Sequence, residues 1–519
     1  MIPATMRRIR SACLLIVVPL LLTTGCAVNP VTGKNEIAFV SEAREISIGQ
    51  EQYTPSQQSQ GGQYTVDREL TAYVSEVGQK VAAVSDRQLP YEFVVLNSGV
   101  PNAWALPGGK IAINRGLLME LENEAELAAV LGHEVVHSAA RHGAKSMERG
   151  TLLQGVLVAT ALGASQSEYS DYIVGGAQLG AQLVSTKYGR DAELESDYYG
   201  TLYMARAGYD PTAAITLQEK FVAMSAGRNS SFIDGLFASH PPSEERVRRN
   251  IETVEAMSPE LKGGGKFTDR YRDRLAYLSS KENAYRAYDQ AVALAQNGKV
   301  DQAMVSLNRA IEQEPGEPMF HGLKGDIARS KSQWRQARKH YNKALSLYDG
   351  YFSYHLGRGL VNSKLGQKEA ARADLERSAQ LLPTAVAMNE LGQLSLAAGN
   401  TAQAKQYFQN AMSGGGGAGD AARAAFVRLD LPDNPGSYFR LQPVVADGQL
   451  QANLANGAGV DVRRVSVTFA AVINGQPVSR TVNAGPVAAG ASGRIPSGIR
   501  VGADDQVADL RIFVSQAGL

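Results

Sequence analysis

Two of the chain's seven histidines stand four residues apart with a glutamate after the first: His133, Glu134 and His137 in LGHEVVHSAARH. In a helix, residues i and i+4 lie about 40° apart in rotation and roughly 6 Å apart in rise, on one face. Two imidazoles there can bind one metal ion, and a carboxylate between them can act as a general base. A catalytic zinc site takes three protein ligands and keeps a fourth position for water. The third ligand must come from elsewhere. RDAELESDYYG, Arg190 to Gly200, offers Glu193, Glu195 and Asp197 in a second expected helix. Glu193 and Asp197 are i and i+4 and share a face; Glu195 points away, onto a solvated face. One of the pair can bind the metal while the other accepts a hydrogen bond from a ligating imidazole and fixes its tautomer. His142 lies five residues beyond His137, off the ligand face, and is expected to be structural or at the surface.

The element that carries the motif is NEAELAAVLGHEVVHSAARH, a helical run with Leu127, Val130, Leu131 and Val135 on an apolar stripe. At 519 residues the chain has room for about three domains. Its net charge of +1 argues against nucleic acid as a bulk partner. Arg7, Arg8 and Arg10 precede an apolar run of 11 residues, Ala12 to Leu22, too short to span a bilayer. LTTGC then ends at Cys26. LTTGC resembles a bacterial lipobox, and the resemblance implies that residues 1–25 are a lipoprotein signal peptide with Cys26 as the lipidated first residue. Cys13, the only other cysteine, would leave with it, so no disulfide is expected. Ala27, in place of an aspartate, points to the outer membrane of a Gram-negative envelope; a soluble periplasmic protein is the alternative. Thr151 to Ala164 is the next most apolar stretch and reads as a buried or lid helix.

Residues 26–256 form the expected catalytic domain, and 257–280 a linker. From 281 to 430 the chain repeats. Ala303, Ala337 and Ala371 are 34 apart, with Ala404 next; Leu307, Tyr341, Leu375 and Phe408 keep step. Gly298, Gly366 and Gly399 fall at the expected turns, where Ser332 takes the glycine's place in the second unit. This is the signature of about four tetratricopeptide repeats, which bind peptides or partner proteins on a concave face. RRVSVTFAAVI and ADLRIFVSQ, with NGQ, AGASG and VGADD turns nearby, predict a small β-sandwich over 437–519.

NAWALPGGKIAINRGLL, ELAAVLGHEVVH, ELESD, ARAGYDP and SHPPSEER resemble the successive signatures of metallopeptidase family forty-eight. The resemblance covers roughly residues 40–255. That family includes the CaaX prenyl proteases, the HtpX heat-shock proteases and the bacterial beta-barrel assembly-enhancing proteases; the repeats make the layout similar to the last group. The resemblance implies a mainly helical zincin-like (gluzincin) protease domain with a small sheet. With the repeats and strands read above, the chain is expected to be a multidomain α+β protein that adds a tetratricopeptide α-solenoid and a small C-terminal β-sandwich, the last outside the family's usual layout. It implies His133, His137 and Glu193 as ligands of one zinc ion, Glu134 as base and Asp197 as the carboxylate behind a ligand. Asn102, Ala103, Trp104 and Ala105 match the edge strand that pairs with extended substrate. His240, in SHPP, would fill the fourth zinc position at rest, and Arg246 would hold that loop or assist substrate. Val136 and Ser196 depart mildly from the family pattern. The implied function is a zinc-dependent endopeptidase of the cell envelope that degrades misfolded or stalled proteins and aids outer-membrane protein assembly. Polypeptide substrates, and the assembly machinery through the repeats, are the expected partners. A chaperone-like binding factor with a latent protease site is the alternative.

Overall fold

The computed structural model describes residues 26–154, 173–174, 177–226 and 234–519. The expected signal peptide lies outside them, as does the apolar stretch beyond Gln154. The described residues divide into two compact units: 26–154, 177–226, 234–367 and 380–382, and 173–174, 368–379 and 383–519.

In the first unit, β1 (Cys26–Val28) pairs antiparallel with β2 (Asn35–Ile37). Helices α1 (Glu42–Ser59) and α2 (Arg68–Ala82) lead to a three-stranded sheet of β3 (Glu92–Leu96), β4 (Ala103–Leu106) and β5 (Lys110–Asn114). Its order is β3-β5-β4, with β3 parallel and β4 antiparallel to β5, so β4 is an edge. These strands read as near-continuous apolar runs because both faces are covered. Alternation divides the work: Phe93, Val95, Ala105 and Ile113 enter one core, while Val94, Leu96, Trp104 and Ala112 enter another with Ile48 and Tyr53 of α1.

After α3 (Arg115–Glu120) comes α4 (Glu124–Ala139), capped by Asn123, whose side chain accepts from Glu126 N. All its residues are buried, not only the predicted stripe. The chain then turns at Arg141, a non-glycine residue with φ 65°, and starts α5 (His142–Gln154). Helices α6 (Ala177–Val184), α7 (Arg190–Arg206), α8 (Thr212–Ala226), α9 (Asp234–Ser239) and α10 (Glu244–Ala256) follow. Helices α4 and α7 cross glycine on glycine. A Cβ on Gly132 would stand 2.9 Å from Gly200 O, and one on Gly200 would stand 2.9 Å from His133 N. That contact brings the two helices carrying the sequence motifs close enough to share a site.

Residues 257–280, expected as a linker, hold a 3-10 turn (Pro259–Lys262) and α11 (Thr268–Ser280), whose Tyr271, Leu275 and Leu278 are buried in the core of the catalytic part. The repeats begin within this unit: α12 (Glu282–Gln296) with α13 (Val300–Gln313), α14 (Pro318–Ser330) with α15 (Trp334–Leu347), then α16 (Phe352–Lys364). Buried Glu317 ties them to the sheet, accepting from Asn97 Nδ2 at 2.9 Å and Tyr285 OH at 2.7 Å. The unit boundary falls after Gln367, within the third 34-residue period.

Helix α17 (Lys368–Leu381) spans that boundary; α18 (Ala385–Ala397), α19 (Thr401–Ala411) and a final α20 (Gly416–Asp430) belong to the second unit. The periodic turns take left-handed φ at Gly298 (73°), Ser332 (57°), Gly366 (75°) and Gly399 (79°). The C-terminal part is a small β domain of two three-stranded antiparallel sheets. One contains β6 (Phe439–Ala446), β7 (Gln449–Asn456) and β10 (Ser492–Arg500); the other, β8 (Arg464–Ile473), β9 (Gln476–Asn483) and β11 (Val507–Gly518). Leu450, Leu454, Val465, Val467 and Phe469 share their core. Asn474 and Gly475, both with positive φ, make the two-residue turn from β8 to β9.

Candidate metal centre

Helix α4 presents His133 and His137 on one side, and α7 crosses it with Glu193 and Asp197. The segment before α10 adds His240, and α10 itself adds Arg246. One donor atom each of His133, His137, Glu193 and His240 lies within 4.8 Å of the others. His137 Nε2 is 3.0 Å from His133 Nε2 and 3.5 Å from Glu193 Oε1. His240 Nδ1 is 3.0 Å from Glu193 Oε1 and 3.3 Å from His133 Nε2. Three imidazole nitrogens and a carboxylate crowded this way, away from water, suit zinc among common divalent ions. Glu193 Oε2 fits the same reading. Among the described residues it has no well-directed hydrogen bond, although Arg246 Nη1 stands 2.9 Å away.

The surrounding groups hold this set in place. His133 Nδ1 meets Asp197 Oδ1 at 3.0 Å, which leaves Nε2 free to face the cluster. Asp197 is gripped by Arg246, whose Nη1 also donates to Pro241 O at 3.2 Å and so pins the His240 segment. Glu134 is buried beside the cluster, with Oε1 3.7 Å from His240 Nε2 and Oε2 without a hydrogen-bond partner among the described residues. Burial pushes the Glu134 pKa up, against the opposing pull of His240 and His133. Burial also drives His137 well below the usual histidine range. For Glu193, burial acts upward, but His240 and the hydrogen bonds from His137 and His240 outweigh it and hold the carboxyl well below its usual range. His137 is thus a neutral imidazole and Glu193 an ionised carboxylate, as a cation needs. For His240, burial acts downward, but Glu193 and Glu134 outweigh it and raise the pKa, so a cation there would displace a proton.

All of His133, Glu134, His137, Glu193, Asp197, His240 and Arg246 therefore converge. Asn102, Ala103, Trp104 and Ala105 are not in that cluster, but their strand packs on the motif helix, where Ser138 Oγ donates to Leu106 O at 3.0 Å. Ala103 to Ala105 belong to β4, whose outer edge has no strand partner among the described residues, and the four side chains are buried. Trp104 packs edge-on against Tyr53, with ring centroids 6.2 Å apart. Cys26 begins β1.

Two expectations need correction. His142 is neither at the surface nor away from the site: it is buried, and its Nδ1 is 2.9 Å from His137 Nδ1. The helix does not continue through it. The left-handed turn at Arg141 swings His142 back onto α4. Glu195 is not on a solvated face, because His142 occupies that side of α7, with Nε2 3.2 Å from Glu195 Oε1. Tyr188 was not legible at all. It stacks on His137 at 4.1 Å with an interplanar angle of 27°. Its position five residues before Glu193 was the only signal. A cavity of about 40 Å³ opens beside His133, Glu134 and His240, walled by Val130, Leu217 and Phe221.

The profile of peptidase family M48 matches residues 68–254. Over 323 residues the chain is 27% identical to the beta-barrel assembly-enhancing protease of Yersinia pestis, covering 57% of this chain and 66% of that one. It is 25% identical over 336 residues to the protein of that name in Escherichia coli, covering 59% and 69%. Against the mitochondrial metalloendopeptidase OMA1 of Schizosaccharomyces pombe it is 30% identical over 255 residues, covering 48% and 72%. The chain thus spans 66–72% of the length of these relatives. The matched residues include the buried histidine–glutamate cluster, and the chain belongs to peptidase family M48, as a metallopeptidase.

Proposed function

We propose that the chain is a zinc endopeptidase of the bacterial cell envelope, with His133, His137 and Glu193 as metal ligands and His240 in the fourth position at rest. The observation that carries this reading is the gathering of those four donors within 4.8 Å of one another, beside buried Glu134. Zinc, when bound, supplies a Lewis acid that acidifies water and polarises a peptide carbonyl. Glu134 takes the proton of the attacking water and delivers it to the leaving amine. Asp197, clamped by Arg246, keeps the His133 Nδ1 proton in place. The outer edge of β4, Ala103 to Leu106, offers backbone groups to an extended substrate, with Asn102 at its entrance. The apolar walls of Val130, Leu217 and Phe221 would receive a substrate side chain next to the scissile bond.

Misfolded or stalled outer-membrane and periplasmic proteins are the proposed substrates. The repeats of 281–430 collect them or engage the assembly machinery, while lipidated Cys26 anchors the chain to the outer membrane. The bacterial relatives named for beta-barrel assembly support this role. A Glu134→Gln trap in the native envelope should retain such proteins, and a catch no richer in them than the His133→Ala control would contradict it.

The placement of His240 favours a second element, a site shut at rest. His240→Ala should keep zinc and cleave more indiscriminately. If it keeps zinc and simply loses cleavage, His240 serves catalysis and the gate is wrong.

A further inference from the structure

We propose that His142 and Glu195 form a relay that orients His137 as a metal ligand. The inference rests on the reading of His133, His137 and Glu193 as ligands. His137 Nε2 faces the cluster, so its proton must sit on Nδ1 when Nε2 offers a lone pair. The acceptor for that proton is His142 Nδ1, 2.9 Å away. A His142 ring that accepts at Nδ1 carries its own proton on Nε2, and Glu195 Oε1 is 3.2 Å from that nitrogen. One direction of donation therefore runs along the chain, from His137 to His142 to Glu195. Ser196 Oγ stands 3.4 Å from His142 Nδ1, a longer contact on the same atom.

The two ligating histidines are thus supported differently. His133 donates directly to a carboxylate, Asp197, while His137 reaches its carboxylate through a second imidazole. The backbone builds the second arrangement deliberately. Arg141 takes its left-handed φ of 65° with a buried side chain, whose Nε donates to buried Glu45. Without that turn His142 would point away from His137. Tyr188, stacked on the other side, leaves the His137 ring little freedom to rotate. His142 and Glu195 touch neither substrate nor reacting atoms, so both are positioning residues.

The test is zinc affinity by chelator competition, with folding checked by circular dichroism. Partners of this kind contribute about 10–100-fold to metal affinity. His142→Ala should weaken zinc binding by that factor, and Glu195→Gln by a smaller one. Once His142 is Ala, adding Glu195→Gln should cost nothing further. His142→Asn puts a carbonyl oxygen near the Nδ1 position and should restore most of the affinity. His142→Gln puts its amide near the Nε2 position, leaves His137 without an acceptor, and should not. A merely space-filling His142 would show no Asn-over-Gln preference, and that result, or wild-type affinity in His142→Ala, overturns the relay. If His137→Ala itself leaves stoichiometric zinc, the ligand reading fails instead, and the two failures are distinct.

Discussion

Arg246 grips Asp197 through two parallel contacts, Nε to Oδ2 at 2.6 Å and Nη2 to Oδ1 at 2.7 Å, with both side chains buried. The pair joins α10 to α7 and stands directly behind His133. Removing the guanidinium leaves Asp197 as a buried carboxylate without its main cation and takes a 2.9 Å contact from Glu193. Breaking a buried pair in this way costs about 3–5 kcal/mol. Arg246→Ala should lower the unfolding free energy of the metal-free protein by that amount in urea titrations, and Arg246→Lys by less, because one ammonium cannot make both contacts. A change within about 0.5 kcal/mol, as for an ordinary surface substitution, would show that the clamp contributes nothing.

The same pair sets an acid limit. Burial raises the Asp197 pKa, but the charge and hydrogen bonds of Arg246 outweigh it and hold it below the ordinary 3.8. A carboxylate with a depressed folded pKa contributes stability above its unfolded pKa and loses it as pH falls through the folded value. In metal-free protein the stability gap between wild type and Asp197→Asn should therefore be constant above about pH 5 and shrink below about pH 4. Unfolding titrations between those values measure it; a gap that widens on acidification would reverse the sign and refute the assignment.

Ser332 occupies a left-handed turn, φ 57°, that the other three periods give to glycine. A side chain pays a steric penalty there that glycine avoids, partly offset by glycine's greater freedom when unfolded. Ser332→Gly should stabilise the repeats by about 0.5–1 kcal/mol, seen as a higher melting temperature. Unchanged or lower melting would mean that the serine has a compensating contact.

Cys26 is the only cysteine left after the expected signal peptide, and among the described residues no helix is long and apolar enough to cross a membrane. Cys26→Ala should move the protein from the membrane fraction into the soluble periplasmic extract. Retention on the membrane after a high-salt wash would contradict a lipid anchor.

Spacing made legible those parts of the site that lie within a single helix. His133 with His137, and Glu193 with Asp197, are i and i+4 pairs, and each pair does share a face. The repeat turns were legible for a similar reason, since a fixed period recurs with the same backbone conformation at Gly298, Ser332, Gly366 and Gly399. Spacing failed where the backbone changed direction. Counting five residues from His137 presumes one helix, but Arg141 breaks it, and the count then says nothing about where His142 points. Spacing within its own helix says nothing of Glu195's partner, His142, which lies on a different element. The stretch 257–280 looked polar and glycine-rich, yet Tyr271, Leu275 and Leu278 recur at helical spacing and bury themselves. Tyr188 finds His137 only through tertiary packing, which no local pattern records.

In the proposed function a buried metal and Glu134 together cleave peptide bonds. The most direct test compares wild type and Glu134→Gln for zinc content and for hydrolysis of an unfolded protein such as casein. Glu134 touches the cluster only through a 3.7 Å approach to His240 and is not among its donors. The variant should therefore keep one zinc per chain and lose cleavage by at least the roughly 10²–10⁴-fold typical of a general acid–base group. Near-normal cleavage by a zinc-loaded Glu134→Gln variant would show that Glu134 is not the base.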